Sequence, residues 1–184
     1  TNNANIPDFP ILIKIIDACD KLSVQVHPGD EYARAVENEN GKTEAWFVLD
    51  CEDGAELIYG VNREMQREEF AEKIEDGSLM EVMNCVKVKP GDVIFIPSGM
   101  LHAIGAGILL AEVQQSSNTT YRVFDYNRKD KFGNTRELHI KKATDVVNLD
   151  FSEADFSAIG EKIMFGNSSK TRLCECEYFA MTSV

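Results

Sequence analysis

Gly91-Asp92-Val93-Ile94-Phe95-Ile96-Pro97-Ser98-Gly99-Met100-Leu101-His102 is the stretch from which the rest of the chain can be read. Asp92 to Ile96 is rich in β-branched and aromatic residues and reads as a strand. Pro97 cannot continue a central ladder, and Gly99 supplies turn freedom. The chain is therefore expected to turn at the strand's end and present His102 just after it. A histidine so placed acquires meaning only if it has partners elsewhere.

Those partners lie upstream, in Leu22-Ser23-Val24-Gln25-Val26-His27-Pro28. Side chains alternate across a strand, so Leu22, Val24 and Val26 share one face and Ser23, Gln25 and His27 the other. Gln25 and His27 thus point to the same side, as two ligands of one ion must. A third candidate is Glu44, in Gly41-Lys42-Thr43-Glu44-Ala45-Trp46-Phe47-Val48-Leu49-Asp50. Glu44 shares a face with Trp46 and Val48. If buried there, its carboxylate needs a partner; if the strand edge is wet, it needs none. Trp46, alone on a largely apolar strand, reads as core in preference to a sugar-stacking platform.

The spacing around His102 resembles the second sequence motif of the cupin superfamily, whose histidine binds a metal inside a small β-barrel. That resemblance implies a mainly β fold: a cupin-type antiparallel jelly-roll barrel, here with short helical insertions.

At 184 residues the chain suffices for one sizeable domain and the edge of another. Its net charge of −12 argues against nucleic acid, which demands a basic face. A small anionic substrate needs only a local positive site and remains compatible. No apolar run reaches membrane-spanning length and no secretory signal opens the chain, so no membrane partner is expected. The five cysteines are an odd number without CxxC spacing, and Cys174 and Cys176 have no second pair or nearby histidine to complete a zinc site. Reduced thiols and a cytoplasmic location follow.

In chain order, Thr1 to Asp8 is polar and reads as frayed. Pro10 to Cys19 is expected to be a strand, with Asp20-Lys21 turning into the strand of Gln25 and His27. Asp30 to Glu37 reads as a short helix with Asp30 as its N-cap. Asp53-Gly54 is a hairpin signal. Gln66 to Asp76 has a helical apolar face in Phe70 and Ile74, with Gly77 closing it. Leu79 to Met83 reads as a short turn, and Cys85 to Lys89, Leu109 to Gln115 and Thr120 to Tyr126 as strands. Arg128 to Leu138 is charged and loop-like. Asp145 to Gly160 reads as a linker and Leu173 to Met181 as one lone strand. The expected organisation is a metal-binding barrel over 9–145, then a linker and the beginning of a second, truncated cupin-like β module over 146–184.

Taken together, LSVQVHP, GKTE, PSGMLHAIG and SSNTTYRVFDYNR resemble type I mannose-6-phosphate isomerase in its short bacterial-type branch. The likeness covers about residues 9 to 128. It implies a zinc site of Gln25, His27, Glu44 and His102, one ion per chain, other divalent transition metals being compatible. It also implies catalytic roles for Lys42, Glu112 and Arg122. The chain departs from the family in three ways. Glu112 lies one residue further from His102 than the common signature. The amino-terminal segment with which the family begins is missing, as is most of the carboxy-terminal domain, so the resemblance implies an isomerase but leaves open whether this stretch of chain is active unaided.

These residues suit the interconversion of mannose 6-phosphate and fructose 6-phosphate through an enediol(ate). One glutamate on a divalent ion leaves a formal charge of +1, and neutral Gln25 does not quench it. Arg122, a permanent cation, can hold either the enediolate oxygen or the phosphate, and Lys42 can aid either. Glu112 is the carboxylate available for proton transfer, a metal-held water being the alternative. On residue type alone, all three could equally be salt-bridged side chains. Tyr121, Tyr126 and His139 read as packing or structural residues. The charged run Asp125 to Lys131 is either a phosphate contact or a solvated loop. The competing functions are a non-catalytic sugar-phosphate or metal-binding cupin and, with only two histidines to offer, a cupin dioxygenase.

Overall fold

The computed structural model describes residues 9–151 and 153–184; the frayed segment expected over Thr1 to Asp8 lies outside them. Nine strands build two facing antiparallel sheets. The first contains β1 (Ile11–Ala18), β8 (Ile108–Gln115), β3 (Glu44–Cys51) and β6 (Val93–Ile96), adjacent in that order. The second contains β5 (Met83–Lys87), β4 (Glu56–Val61), β7 (His102–Ala103), β2 (Val24–Val26) and β9 (Tyr121–Phe124). This is the mainly β, antiparallel barrel that the resemblance read from the sequence implies.

Alternation sorts the apolar residues into three clusters. Trp46, Val48, Ile94, Ile96, Ile108 and Leu110 project from the first sheet into the barrel and meet Leu57 and Ile104. Val24, Val26, Ile58, Leu101, Tyr121 and Val123 project from the second sheet's outer face and meet Phe70, Ile74, Leu79 and Ala143. Phe70 and Ile74 belong to α2 (Arg67–Glu75), the expected amphipathic helix, and Ala143 to α3 (Ile140–Val146). The third cluster joins Ala45 and Val93, on the outside of the first sheet, to Leu173, Cys174 and Phe179. The molecule is thus layered: helices, sheet, barrel interior, sheet, C-terminal strands. Each layer is a place where one strand face escapes water.

Three local expectations need correction. Asp30 does not cap α1 (Asp30–Val36) with its side chain; Gly29 occupies that position. Asp30 Oδ1 instead accepts from the backbone N–H of Gly41 at 2.8 Å and from Gln115 Nε2 at 3.1 Å, tying the helix to the strand that carries Glu44. The segment read as a linker from Asp145 begins inside α3, and Val147 and Leu149 are buried against the second sheet's helical layer. The lone strand expected over Leu173 to Met181 is a hairpin. β11 (Ser168–Glu175) pairs with both β10 (Ile163–Phe165) and β12 (Ala180–Ser183), and the backbone N–H of Cys176 closes the turn on the Phe179 carbonyl at 3.0 Å. Apolar letters run on through that turn because Phe179 docks on the barrel, which hides the break from a one-dimensional reading.

All five thiols are free. Among the described residues, no helix is long and apolar enough to cross a membrane.

The turn that presents His102 is fixed from two sides. Gly99 has φ +87°, and its N–H donates to the His27 carbonyl at 2.8 Å while its own carbonyl accepts from Asn148 N–H at 2.8 Å. Beyond β7 the chain passes close to β4: a Cβ on Gly105 would lie 1.8 Å from the Glu56 carbonyl oxygen. Gly105→Ala must push β4 off β7. Its urea midpoint should fall by the equivalent of about 1–3 kcal/mol, the ordinary cost of overpacking; an unchanged midpoint would show that the two strands are not held at this separation.

Candidate metal centre

Register brings the predicted ligands together. Gln25 of β2 sits opposite His102 of β7 on one side and Arg122 of β9 on the other, and His102 sits opposite Tyr59 of β4. Residues directly opposite share a face, so Arg122, Gln25 and His102 form a row across the second sheet. Across the barrel, Glu44 of β3 lies between Gln114 of β8 and Ile96 of β6. His27, one residue past β2, completes the group. His27, Glu44 and His102 are all buried, with donor atoms within 4.8 Å of one another.

Hydrogen bonding settles which imidazole nitrogens face inward. Nδ1 of His27 is 3.0 Å from the Thr119 carbonyl and Nδ1 of His102 is 2.8 Å from the Met100 carbonyl. A carbonyl only accepts, so each Nδ1 carries the proton and each Nε2 presents a lone pair. Those lone pairs face Glu44: His27 Nε2 lies 3.4 Å from Oε2 and His102 Nε2 3.2 Å from Oε1. Neither oxygen of this fully buried carboxylate accepts a hydrogen bond. Lone pairs aimed at an unsatisfied carboxylate repel one another unless a cation lies between them. Lys42 supplies part of that charge, with Nζ 3.0 Å from both Glu44 Oε2 and His27 Nε2. Gln25 Nε2 is 3.3 Å from His102 Nε2, and rotation of the amide would bring its oxygen to the same point.

The donors fit a divalent metal. In a tetrahedral site the edge is about 1.6 times the bond length, or about 3.3–3.6 Å for zinc with N and O ligands. The two imidazole–carboxylate separations approach that edge. The backbone carbonyls that hold each Nδ1–H are the outer partners that orient metal-binding histidines generally.

The remaining candidates have different surroundings. Glu112 is buried and projects into the barrel beside Trp46, its register partner on β3. Its Oε1 accepts from Lys14 Nζ at 2.8 Å and its Oε2 from Trp46 Nε1 at 3.0 Å. Trp46 itself is fully buried and meets the His102 ring edge-on at 5.5 Å, so it is core, as its sequence position suggested. Arg122 donates through Nη1 to the Glu137 carbonyl at 3.0 Å, while its buried Nε has no partner. A cavity of about 540 Å³ lies at this end of the barrel, lined by Ser23, Gln25, Thr120, Arg122, Arg128 and Arg136.

Three features were not legible in the sequence. Lys14, within an apolar strand, reaches Glu112 and also Gln114 Oε1 at 2.5 Å. His139, read as merely structural, clasps the backbone of Arg122: its Nδ1 accepts from the Arg122 N–H at 3.1 Å and its own N–H donates to the Arg122 carbonyl at 2.8 Å. Asp125 binds two arginines at the cavity mouth. Lys14 was the most detectable, since a lysine on the same strand face as Ile16 and Ala18 is out of pattern.

Burial drives the pKa of both imidazoles down, to about 3 at His102, although Glu44 pulls the other way. Burial also disfavours the charged form of Glu44, but attraction to any proton held on His27 or His102 and to the Lys42 ammonium outweighs it and holds the carboxyl below its usual range. In the metal-free protein, the unfolded chain takes up protons on these histidines as pH falls below about 6.5, whereas folded His102 resists until far lower pH. The stability they contribute is complete above that pH and declines on acidification, and Glu44 adds to the loss below about 4.5. The urea midpoint of metal-stripped protein should therefore fall steadily between about pH 7 and pH 4. A flat profile across about pH 7 to 5 would mean that the imidazoles titrate in the folded state as they do in the unfolded chain.

No family profile matches the chain. Its curated relatives include the mannose-6-phosphate isomerase ManA of Bacillus subtilis, 49% identical over 174 residues, which are 94% of this chain and 54% of that protein. The mannose-6-phosphate isomerase of Streptococcus mutans is 48% identical over 147 residues, 80% of this chain and 46% of that protein. The chain thus spans about half the length of the curated relatives it matches. Among solved structures, the mannose 6-phosphate isomerase of Bacillus subtilis superposes with a TM-score of 0.86 at 37% identity, covering 94% of this chain and 54% of that one. Over the span they share, the chain is homologous to the mannose-6-phosphate isomerases and has their cupin-type antiparallel barrel.

Proposed function

We propose that this chain carries the metal site of a mannose-6-phosphate isomerase, which interconverts mannose 6-phosphate and fructose 6-phosphate through an enediol(ate). The observation that carries the reading is the buried, hydrogen-bond-free carboxylate of Glu44 facing two imidazole lone pairs, beside a cavity lined by arginines. Gln25, His27, Glu44 and His102 are the proposed ligands. Zinc suits this set of two imidazoles, one carboxylate and one amide. What a bound divalent ion supplies is Lewis acidity toward the sugar's carbonyl oxygen.

The chain's own side chains do the rest. Neutral Gln25 leaves the site a net positive charge, which favours an anionic intermediate. Arg122 lies in the same row as Gln25 and His102, where its free Nε suits an oxyanion that develops during reaction. Lys42, held at the inner end, would assist from the opposite side. Glu112 is the proposed proton carrier. Both its oxygens already accept hydrogen bonds, so taking a proton means releasing Lys14, the more exposed of its two donors. We assign residues 9–145 to the metal-binding barrel, with Val147 and Leu149 still packed on it, and β10 to β12 to the start of a second β module. The substrate is a small sugar phosphate, and the compartment the cytoplasm.

Metal analysis and an isomerase assay on the intact protein test this reading. Glu44→Gln should lose metal and activity together. Arg122→Met should keep metal and fold but lose turnover by about 10²–10³, the usual worth of one donor to a developing oxyanion. If Arg122→Met raises only KM and leaves kcat near wild type, the arginine binds ground-state phosphate instead. Intact, metal-loaded protein that binds mannose 6-phosphate yet fails to exchange its C2 proton with solvent would mark a non-catalytic cupin.

A further inference from the structure

The chain leaves β9 at Asp125 and returns two arginines to it. Tyr126 and Asn127 both have φ +54°, a left-handed conformation that non-glycine residues seldom adopt. This double turn brings Arg128 back onto Asp125, with the Arg128 N–H on the Asp125 carbonyl at 3.0 Å. The Asp125 carboxylate is buried and accepts from Arg128 Nε at 3.1 Å and Arg136 Nε at 2.7 Å, with a second bond from each guanidinium through Nη2. Arg128 Nη1 is spent on the Lys21 carbonyl. Arg136 is half exposed, and its bonds to Asp125 leave Nη1 outside the pair. Arg122, three residues before Asp125, lines the same cavity and keeps a buried, unpartnered Nε.

Charge gives this cluster a direction. Three guanidiniums face the buried Asp125 carboxylate and, at the rim, Asp20, whose Oδ2 lies 3.9 Å from Arg128 Nη1, so the cluster stays net positive in a chain whose net charge is −12. A phosphate monoester carries about −1.5 to −2 at neutral pH, so the cluster attracts such a group. Asp17 and Lys21 also border the cavity, and their charges offset each other. The Nε–Nη2 edges of Arg128 and Arg136 are taken by Asp125, so the donors left for a phosphate are outward ones such as Arg136 Nη1, on a guanidinium whose orientation is fixed beforehand.

We propose that Asp125 is a positioning residue that holds Arg128 and Arg136 beside Arg122 as a preset clamp for the phosphate end of the substrate. This rests on the sugar-phosphate reading above. It assigns a use to Arg136, which neither the strand pattern nor the metal site requires.

The sign of one measurement separates positioning from simple charge. Asp125→Asn removes a negative charge, so long-range attraction alone would tighten binding of inorganic phosphate. If Asp125 acts by orienting the arginines, binding weakens despite the added positive charge. Calorimetric titration of the intact, metal-loaded protein with inorganic phosphate should show about tenfold weaker binding in Asp125→Asn. KM for mannose 6-phosphate should rise by a similar factor, with kcat and metal content near wild type. Asp125→Glu should recover part of the loss. Should Asp125→Asn fail to fold, Arg136→Met is expected to show the same phosphate deficit, and wild-type phosphate binding in that variant would overturn the proposal. So would equal or tighter binding in folded Asp125→Asn. If wild-type protein binds phosphate in an Asp125-dependent way but isomerises nothing, the isomerase reading fails and the clamp stands. If it isomerises but its phosphate affinity ignores Asp125, the reverse holds.

Discussion

A carboxylate that is wholly buried and accepts no hydrogen bond is the tension around which this barrel is built. Glu44 stays there because its neighbours cannot relax away. The imidazoles have committed their N–H groups to the carbonyls of Thr119 and Met100, so neither ring can turn a donor toward it without breaking a bond. The Met100 carbonyl belongs to the turn at Gly99, and that turn is itself bonded to the carbonyl of His27. The two histidines are therefore fixed by each other's backbone as much as by their own strands. Lys42, two residues before Glu44, moderates the tension from inside the same strand entrance.

The site's polarity depends on how the strands divide their faces. In the first sheet, the face that carries Trp46, Ile94 and Leu110 into the barrel also carries Glu44, Glu112 and Gln114. One end of the interior is packed with apolar side chains and the other is lined with donors and acceptors. Trp46 stands at the junction, its ring among the apolar group and its N–H on Glu112. A one-residue slip in β3 would turn Glu44 outward and Ala45 inward. Fold and site are thus specified by the same register.

This also explains what could be read from the sequence. Gln25 and His27 were legible because alternation within three residues is local information, and His102 because Pro97 and Gly99 mark a turn on their own. Glu44 was undecided on pattern alone, since burial of its face depends on Gln114 and Ile96 in distant strands. Lys14 and Glu112 meet across 98 residues, and Asp125 meets Arg136 only because a loop doubles back. No periodicity encodes such encounters. Helix α3 was hidden because its seven residues bury one side chain, Ala143, too short a signal to show an apolar face.

The bond from Lys14 to Glu112 has a kinetic meaning as well. Strand β1 is made long before its antiparallel partner β8, and the proposed ligands Gln25 and His102, on β2 and β7, are separated by 77 residues of chain. Contacts of such high sequence separation make folding slow, because loop entropy is lost before the contacts repay it. A nascent chain therefore holds an apolar β1, including the outward Ile13 and Ile15, without a partner until β8 has emerged. During that interval the exposed strand can pair with any other edge it meets. The ligands cannot converge until both sheets close, so free metal acts on the folded end of the equilibrium. Each tenfold rise in its concentration above the dissociation constant deepens the folded state by about 1.4 kcal/mol. An ion held by the proposed ligands would thereby also select for chains that have finished folding.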